Sequence, residues 1–93
     1  MRNFIKVFKA LSDPNRVRIL KMLERRPICV CEFPEILKIA NSTASKHLSI
    51  LREADLIIDQ KVGKWVIYRL NTNSNLLHVR QILSLIPTWL NDD

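Results

Sequence analysis

Residues 41–51 read Asn-Ser-Thr-Ala-Ser-Lys-His-Leu-Ser-Ile-Leu, the most informative segment of the chain. At 100° per residue, a helix through it places Ala44, Leu48 and Leu51 on one face. The opposite face carries short hydroxyls and one lysine: Ser42, Ser45, Lys46 and Ser49. An apolar inner face with such an outer face is typical of a helix that packs on a small core and lies on DNA.

Two further helices are predicted at the start of the chain. Apolar residues fill one side of residues 2–11 and basic residues the other, which predicts a short first helix. Ser12-Asp13-Pro14 is a start signal for a second, because Asp caps helices and Pro suits the first helical position. This second helix should run to about Arg25, since the residue before Pro27 disfavours helix.

A third helix should lie just before residues 41–51. Pro34 is tolerated only in a first turn, so this helix begins at about residues 31–33 and runs to about Ile39. After a short break at Ala40-Asn41, a fourth helix covers about Ser42 to Ala54. Two short helices joined by a tight turn form a helix-turn-helix, and we call the fourth helix the reading helix.

Two β-strands follow the reading helix. Residues 56–60 and 65–70 are rich in β-branched and aromatic side chains, and Gly63 lies between them, where a hairpin needs positive φ. The hairpin carries Lys61, Lys64 and Arg69, as expected of a wing that contacts DNA. We therefore expect one domain over residues 1–93, mainly α with a small β-hairpin, folded as a winged helix-turn-helix.

The composition favours a polyanionic partner and argues against other classes. Fifteen Lys and Arg against nine Asp and Glu give the 93 residues a net charge of +6, which makes nucleic acid the first candidate. No apolar run approaches the roughly 18 residues that span a bilayer, and the N-terminus lacks a signal-peptide core. We expect a cytoplasmic protein without a membrane partner. The absence of a phosphate-cradling glycine motif and of a Ser/His/Asp grouping argues against an enzyme.

Cys29 and Cys31, the only cysteines, precede the reading helix by about ten residues. A disulfide across one intervening residue would be strained, and cytosolic thiols are mostly reduced. Thiolates are soft ligands that select As(III), Sb(III), Cd(II), Pb(II) or Zn(II). Residues two apart on a regular helix diverge, but Pro34 places Cys29 before the helix and Cys31 at its edge. We expect the helix N-terminus to favour thiolate and the pair to bind a metal or metalloid ion; redox sensing and two inert cysteines are the alternatives.

The last predicted helix begins at about Asn73 and is apolar over roughly half its circumference. Its apolar residues are Leu76, Val79, Ile82, Leu83, Leu85, Ile86, Trp89 and Leu90. A surface helix needs a stripe only about 100° wide, so this helix should also bury a face against a second subunit. Pro87 should kink or end it. The first helix is its expected neighbour at a two-fold interface, which would present two reading helices to one palindromic site.

Over roughly Phe8 to Leu70 the chain resembles the ArsR/SmtB family of winged-helix repressors. The stretches that carry the resemblance are Phe8-Lys9-Ala10-Leu11-Ser12-Asp13-Pro14-Asn15-Arg16, Arg18-Ile19-Leu20, Cys29-Val30-Cys31-Glu32, Ser42-Thr43-Ala44-Ser45-Lys46-His47-Leu48, Leu51 and Gly63-Lys64-Trp65-Val66-Ile67-Tyr68-Arg69-Leu70. The resemblance implies a homodimer held by the first and last helices. It also implies repression of an operon by the metal-free protein and release when metal binds.

The chain departs from the family pattern at several positions. In the arsenic-responsive branch a third cysteine commonly follows the pair by three residues, and here that position is Pro34. The third donor to As(III) would then be water, a small thiol or a group not identified from the sequence. Lys38 and Ala40 replace the usual glycine and capping serine of the turn. The zinc branch uses carboxylates and histidines on the last helix, where His78 stands nearly alone.

These observations predict a repressor that binds double-stranded operator DNA as a homodimer and is released when As(III) or Sb(III) binds the Cys29 and Cys31 thiolates. The predicted DNA contacts are Ser42, Thr43, Ser45, Lys46, His47, Ser49, Lys61, Lys64 and Arg69. His47 is interpreted as a packing or phosphate-contacting residue, and His78 as dimer-interface packing with a second metal site as the alternative. A repressor responsive to Cd(II), Pb(II), Zn(II) or thiol oxidation, and a constitutive DNA binder, are the competing hypotheses.

Overall fold

Helices form most of the fold, and a small sheet lies against them. The computed structural model describes residues 1–89. In chain order its elements are α1 (Arg2–Ala10), α2 (Pro14–Arg25), β1 (Ile28–Cys29), α3 (Phe33–Leu37), α4 (Asn41–Glu53), β2 (Ile57–Val62), β3 (Trp65–Leu70) and α5 (Leu77–Leu85). Short 3-10 turns occupy Val30–Glu32 and Ile86–Thr88. This arrangement confirms the winged helix-turn-helix, with α4 as the reading helix.

Local signals place the first two helices where the sequence predicts them. The Asp13 carboxylate caps α2 by accepting hydrogen bonds from the amides of Asn15, at 2.8 Å, and Arg16, at 3.3 Å. Pro14 occupies the first turn, where its missing N–H costs nothing. Pro27 follows the end of α2 by two residues. The Asp13 cap and Pro27 thus coincide with the two ends of α2 that the sequence predicts.

The turn of the helix-turn-helix spans residues 38–40, one residue more than the predicted break at Ala40-Asn41. Helix α3 ends at Leu37, two residues before the predicted end, because Lys38 adopts left-handed backbone angles of φ 57° and ψ 50°. The Ile39 amide then donates to the Pro34 carbonyl at 3.1 Å, which closes the end of the helix. Ala40 stands at the cap of α4 and offers no side-chain hydrogen bond.

The sheet has one strand more than the predicted hairpin. Its strands are antiparallel in the order β1-β3-β2, and Gly63 turns the hairpin with φ +60°, as expected. The additional strand β1 pairs Ile28 with Tyr68 and Cys29 with Ile67. Two residues are too few to show a period of two in the sequence, so only the tertiary pairing reveals this strand. It joins the cysteine segment directly to the wing.

The core lies between α2, α4 and the sheet, and α1 and α5 complete it. Ala44, Leu48 and Leu51 are at most 1% exposed, which confirms the inner face of the reading helix. The largest fully buried side chains are Phe33, Ile19, Leu20, Leu48, Leu51, Leu56, Ile57, Ile86, Val7 and Val79. None of the helices in residues 1–89 is long and apolar enough to cross a membrane.

Helix α5 begins at Leu77, four residues later than predicted. The preceding segment is held as a loop by the side-chain amide of Asn71, whose Nδ2 donates to the Asp55 carbonyl at 3.0 Å, and by the Ser74 hydroxyl, which donates to the Asp55 carboxylate. The helix ends at Leu85, and Pro87 lies in the 3-10 turn that follows, so Pro87 ends the helix as expected. Leu90, the last apolar residue predicted for this helix, lies outside the described residues.

Candidate nucleic-acid interface and thiol site

The outer face of α4 presents short polar side chains to solvent. Ser42, Thr43, Ser45 and Lys46 are exposed, and Ser49 is half-buried farther along the helix. The first turn carries no acidic residue that would repel a phosphate. Hydroxyls and a lysine in this position can donate hydrogen bonds to base edges or to the phosphate backbone.

His47 lies on the other side of the same helix. Its side chain is 11% exposed, and Nδ1 lies 3.1 Å from Nη1 of Arg16. Because a guanidinium only donates hydrogen bonds, Nδ1 is the acceptor here, and the second ring nitrogen, Nε2, faces the Asp13 carboxylate at 3.9 Å. This inward position supports the predicted packing role of His47 and gives no support to its predicted contact with DNA.

Arg16 and Asp13 tie this histidine to the beginning of α2. Arg16 also donates from Nε to the Ala10 carbonyl at 2.8 Å and from Nη2 to the Lys9 carbonyl at 3.2 Å. Burial raises the pKa of Asp13, but hydrogen bonds from two backbone amides and the nearby positive charges outweigh it, so the pKa lies below its ordinary value. The three side chains, which we call the Asp13–Arg16–His47 clamp, connect the end of α1, the start of α2 and the reading helix.

The wing carries its basic residues on more than one face. Lys61, Lys64 and Arg69 are all exposed. Lys61 pairs with Val66 and Arg69 with Ile58, so Lys61 and Arg69 point to opposite faces of the hairpin. Lys64 lies at the turn with its Nζ 5.1 Å from the centre of the Trp65 ring. An ion pair between Arg52 and Asp59, 3.2 Å apart, joins the reading helix to the wing.

The two sulfur atoms converge. Cys29 Sγ and Cys31 Sγ are 3.2 Å apart, and the Cys31 thiol donates to the Cys29 sulfur. Cys29 is half-buried at the end of β1, and Cys31 is exposed in the 3-10 turn. The expectation that Pro34 keeps the pair off a regular helix is confirmed. Two donors at this separation can bind one soft ion together.

A capping box braces the thiol pair. The Cys29 amide donates to Glu32 Oε2 at 2.8 Å, and the Cys29 sulfur accepts from the Glu32 amide. Glu32 also pairs with Arg26 at 3.0 Å, and this pairing, with the Cys29 amide bond, lowers the pKa of Glu32. The sequence interpretation missed this role of Glu32 and Arg26. The spacing Cys-x-x-Glu repeats the Ser-x-x-Glu pattern of a capping box, and that signal could have revealed it.

The protonation of Cys31 runs against the prediction. Its hydrogen bond to Cys29 raises the pKa of the Cys31 thiol, and burial and the nearby charges of Cys29 and Glu32 raise it further. A helix N-terminus was expected to favour the thiolate. Cys31 instead lies in a 3-10 turn of three residues, which has too few aligned peptide units to offset a neighbouring thiol and a carboxylate.

Donors beyond the two sulfurs are scarce nearby. Within residues 1–89, no group of three or more His, Cys, Asp or Glu side chains is arranged to hold a metal ion. His78 lies on α5 with its ring 5.5 Å from the ring of Phe4, and its Nε2 is buried without a hydrogen-bond partner. This position fits packing between α1 and α5.

The chain is similar in sequence to bacterial transcriptional regulators. The chain is 43% identical over 86 residues to the arsenical resistance operon repressor of Escherichia coli K12, covering 91% of this chain and 63% of that protein. It is 39% identical over 79 residues to a cadmium resistance transcriptional regulatory protein CadC homolog of Staphylococcus aureus, covering 84% of this chain and 62% of that protein. The chain thus spans less than two thirds of the length of either relative.

Solved structures share the fold. HlyU from Vibrio cholerae N16961 superposes with a TM-score of 0.76 at 26% identity, covering 96% of this chain and 92% of that one. The homodimeric winged helix-turn-helix DNA-binding domain of Mb0332 from Mycobacterium bovis superposes with a TM-score of 0.78 at 23% identity, covering 94% of this chain and 77% of that one. The family and fold are those of DNA-binding transcriptional regulators and not of enzymes. Residues 13–59 match the family described as bacterial regulatory protein, arsR family, and the chain belongs to it.

Proposed function

We propose that the chain is a transcriptional repressor that binds operator DNA as a homodimer and is released when As(III) or Sb(III) binds Cys29 and Cys31. The observation that carries this proposal is the 3.2 Å separation of the two sulfur atoms at the entrance to the helix-turn-helix. The name of the Escherichia coli relative, which refers to arsenical resistance, supports the choice of metalloid. A repressor of bacterial operons works in the cytoplasm, where such thiols stay reduced.

Two elements would read the operator. The exposed residues Ser42, Thr43, Ser45 and Lys46 of α4 have the chemistry for the major groove, and Ser49 can reach the backbone beside it. Lys61, Lys64 and Arg69 of the wing would meet phosphates or the minor groove. Since Lys61 and Arg69 point to opposite faces of the hairpin, we expect only one of them to face the DNA backbone in any one docking pose.

A second subunit would cover the apolar surface of α1 and α5. Phe4, Phe8, Leu77 and Leu85 expose between 43% and 59% of their area, and the rings of Phe4 and His78 show that the two helices are neighbours. Large apolar side chains clustered on two adjacent helices are typical of a protein interface. The homodimer of the structurally similar Mb0332 domain uses the same fold.

Ligand binding at the thiol pair would affect the reading helix and the wing by two routes. Cys31 and Glu32 lead directly into α3, and α3 packs against the reading helix. Cys29 belongs to β1, which pairs with wing strand β3. A bound ion draws the two sulfurs into one coordination sphere and removes the thiol proton that now lies between them. We expect this change to strain the capping box and to shift α3 and the wing together, for which a coupling of about 1–3 kcal/mol suffices.

The test is binding of the reduced protein to DNA from upstream of its own gene, titrated in parallel with arsenite, antimonite, Cd(II), Zn(II) and peroxide. Release by arsenite or antimonite from the parent, but not from Cys29→Ser/Cys31→Ser, is the expected result. Serine at position 29 still caps the 3-10 turn, so the control keeps the fold. Release by Cd(II) or Zn(II) alone would identify a divalent-metal repressor, and release by peroxide alone a redox switch. Binding indifferent to all five would leave a constitutive DNA binder.

A further inference from the structure

The wing leaves one edge of its sheet open. In the order β1-β3-β2, strand β2 is paired on one side, and no other strand of residues 1–89 lies along its second side. Residues 58–62 of this strand are all exposed. An open edge presents a row of backbone N–H and C=O groups with which another strand can pair. The edge of β2 is therefore available to a strand of another molecule.

Two residues of β2, Asp59 and Lys61, direct their backbone groups to this open edge. Val62 and Trp65 flank the two-residue turn of the hairpin, and the residues that flank such a turn exchange both backbone hydrogen bonds. Backbone direction alternates along an antiparallel strand, so every second residue counted back from Val62 bonds to β3. Asp59 and Lys61 lie between those residues and face outward, where a second strand could bond to them.

The exposed part of β2 is complementary to its own antiparallel copy. About a two-fold axis at Gln60, Asp59 of each copy lies opposite Lys61 of the other, and Ile58 lies opposite Val62. Opposite charges and apolar side chains in directly facing positions stabilise paired strands. From this match we propose that the β2 edges of two copies of the chain pair antiparallel about Gln60. The inference goes beyond the proposed function and does not depend on it.

Charge selects this register over its neighbours. Outward-facing residues pair only with outward-facing residues, so the neighbouring registers are displaced by two residues. One of them places Asp59 opposite Asp59 of the second copy, and the other places Lys61 opposite Lys61, so both bring like charges together. In the favoured register each Asp59 and the Lys61 that it faces exchange both of their outward backbone hydrogen bonds, and their side chains attract each other.

The same pairing extends an apolar stripe on one face of the wing. Ile58, Val62 and Trp65 expose 43%, 49% and 48% of their area, and the strand register places all three on one face of the hairpin. Pairing about Gln60 brings Ile58 of each copy beside Val62 of the other, and apolar side chains that lie together favour an interface. With the apolar surface of α1 and α5, each chain would have two separate two-fold interfaces, which would join dimers into larger assemblies.

Sedimentation equilibrium from micromolar to millimolar protein tests the pairing at physiological ionic strength, where salt screens the repulsion between chains of net charge +6. We expect the parent to show an association step beyond the dimer formed by α1 and α5. Asp59→Lys and Lys61→Asp each place like charges opposite at both symmetry-related positions and should raise the dissociation constant of this step by about ten-fold or more. Asp59→Lys/Lys61→Asp restores opposite charges and should return the constant to within about two-fold of the parent.

Arg52→Ala is the matched control, because it removes the ion pair between Arg52 and Asp59 within one chain and leaves the edge intact. It should leave the dissociation constant unchanged. Hydrogen exchange of the parent is a second measurement: the amides of Asp59 and Lys61 should exchange more slowly as protein concentration rises, and the amide of Lys64 in the turn should not.

Three results would each overturn the inference. The first is a parent that does not associate beyond the dimer at millimolar concentration. The second is a double variant, Asp59→Lys/Lys61→Asp, that associates no more tightly than either single variant. The third is exchange of the Asp59 and Lys61 amides that does not depend on concentration.

Discussion

At the scale of single residues, the left-handed backbone of Lys38 destabilises the fold. Its left-handed backbone, at φ 57°, places a Cβ where the following carbonyl crowds it, and glycine is free of that contact. We predict that Lys38→Gly raises the free energy of unfolding by about 0.5–1 kcal/mol, as measured by urea denaturation at fixed protein concentration. Lys38→Ala is the control, because it removes the charge but keeps the Cβ. Equal gains in both variants would assign the effect to charge instead of backbone.

Asp13 makes stability depend on pH in the acid range. Its folded-state pKa is lowered below the ordinary value of 3.8, so the carboxylate stabilises the fold at higher pH. This stability is fully present above the unfolded pKa and is lost as the pH falls through the lower folded pKa. We predict that Asp13→Asn, which can still cap α2, costs less than about 1 kcal/mol at pH 7 and flattens the stability curve below pH 4. Urea unfolding at a series of pH values measures both, and an unchanged acid slope would contradict the assignment.

At the scale of secondary structure, the Asp13–Arg16–His47 clamp fixes the reading helix to α2. Arg16 Nη1 would lose its acceptor on α4 if the His47 ring were removed. We predict that His47→Leu lowers the free energy of unfolding by about 1–3 kcal/mol, because a part-buried donor is left unsatisfied. His47→Gln, which can offer an acceptor, should recover part of the loss.

The Arg16–His47 double-mutant cycle isolates the pair. We expect the double variant Arg16→Leu/His47→Leu to lower the free energy of unfolding by clearly less than the sum of the two single variants. In the double variant both members of the hydrogen bond are absent, so neither is left without its partner. Additive effects in chemical denaturation would show that the ring acts only by filling space. DNA affinity measured on the same variants then reports whether the orientation of α4 depends on the clamp.

Elements with local signals could be predicted from the sequence, and elements held by distant contacts could not. Asp13 and Pro14 mark the start of α2, and Gly63 marks the hairpin, because capping and turn formation depend on neighbouring residues. Strand β1 has two residues and depends on its pairing with Tyr68 and Ile67. The start of α5 was placed too early because Asp55, far back in the chain, holds the preceding loop.

The same division applies to the candidate site. The thiol pair and the outer face of α4 follow from residue type and helical spacing. The inward position of His47 depends on Arg16, which lies 31 residues away in the sequence, so periodicity alone places the ring only at the border of the core. The raised pKa of Cys31 depends on the position of the Cys29 sulfur, which a helical wheel does not give.

At the scale of the whole molecule, the net charge of +6 should govern DNA affinity through salt. Each phosphate neutralised by a lysine releases counterions, so affinity falls with salt more steeply as contacts increase. We predict that Lys46→Ala and Lys64→Ala each weaken binding at low salt and reduce the salt slope of log affinity by about one. Fluorescence anisotropy across a salt series gives the slope. Lys21→Ala is the control, because Lys21 is partly buried against the Ile86 carbonyl and should leave the slope unchanged.

We expect the apolar surface of α1 and α5 to set the oligomeric state and, through it, DNA binding. Phe8 and Leu85 are 49% and 51% exposed on neighbouring helices, and a charge there would be buried in a dimer without a partner. We predict that Phe8→Asp and Leu85→Asp each shift the chain toward monomer in sedimentation velocity and weaken operator binding. Operator binding should weaken together with the dimer, because the two half-sites of an operator need two linked reading helices. Ile36→Asp is the matched control, because Ile36 is 50% exposed but belongs to α3 and should leave the dimer intact. Equal dissociation by all three variants would show that general destabilisation, and not a specific interface, controls assembly.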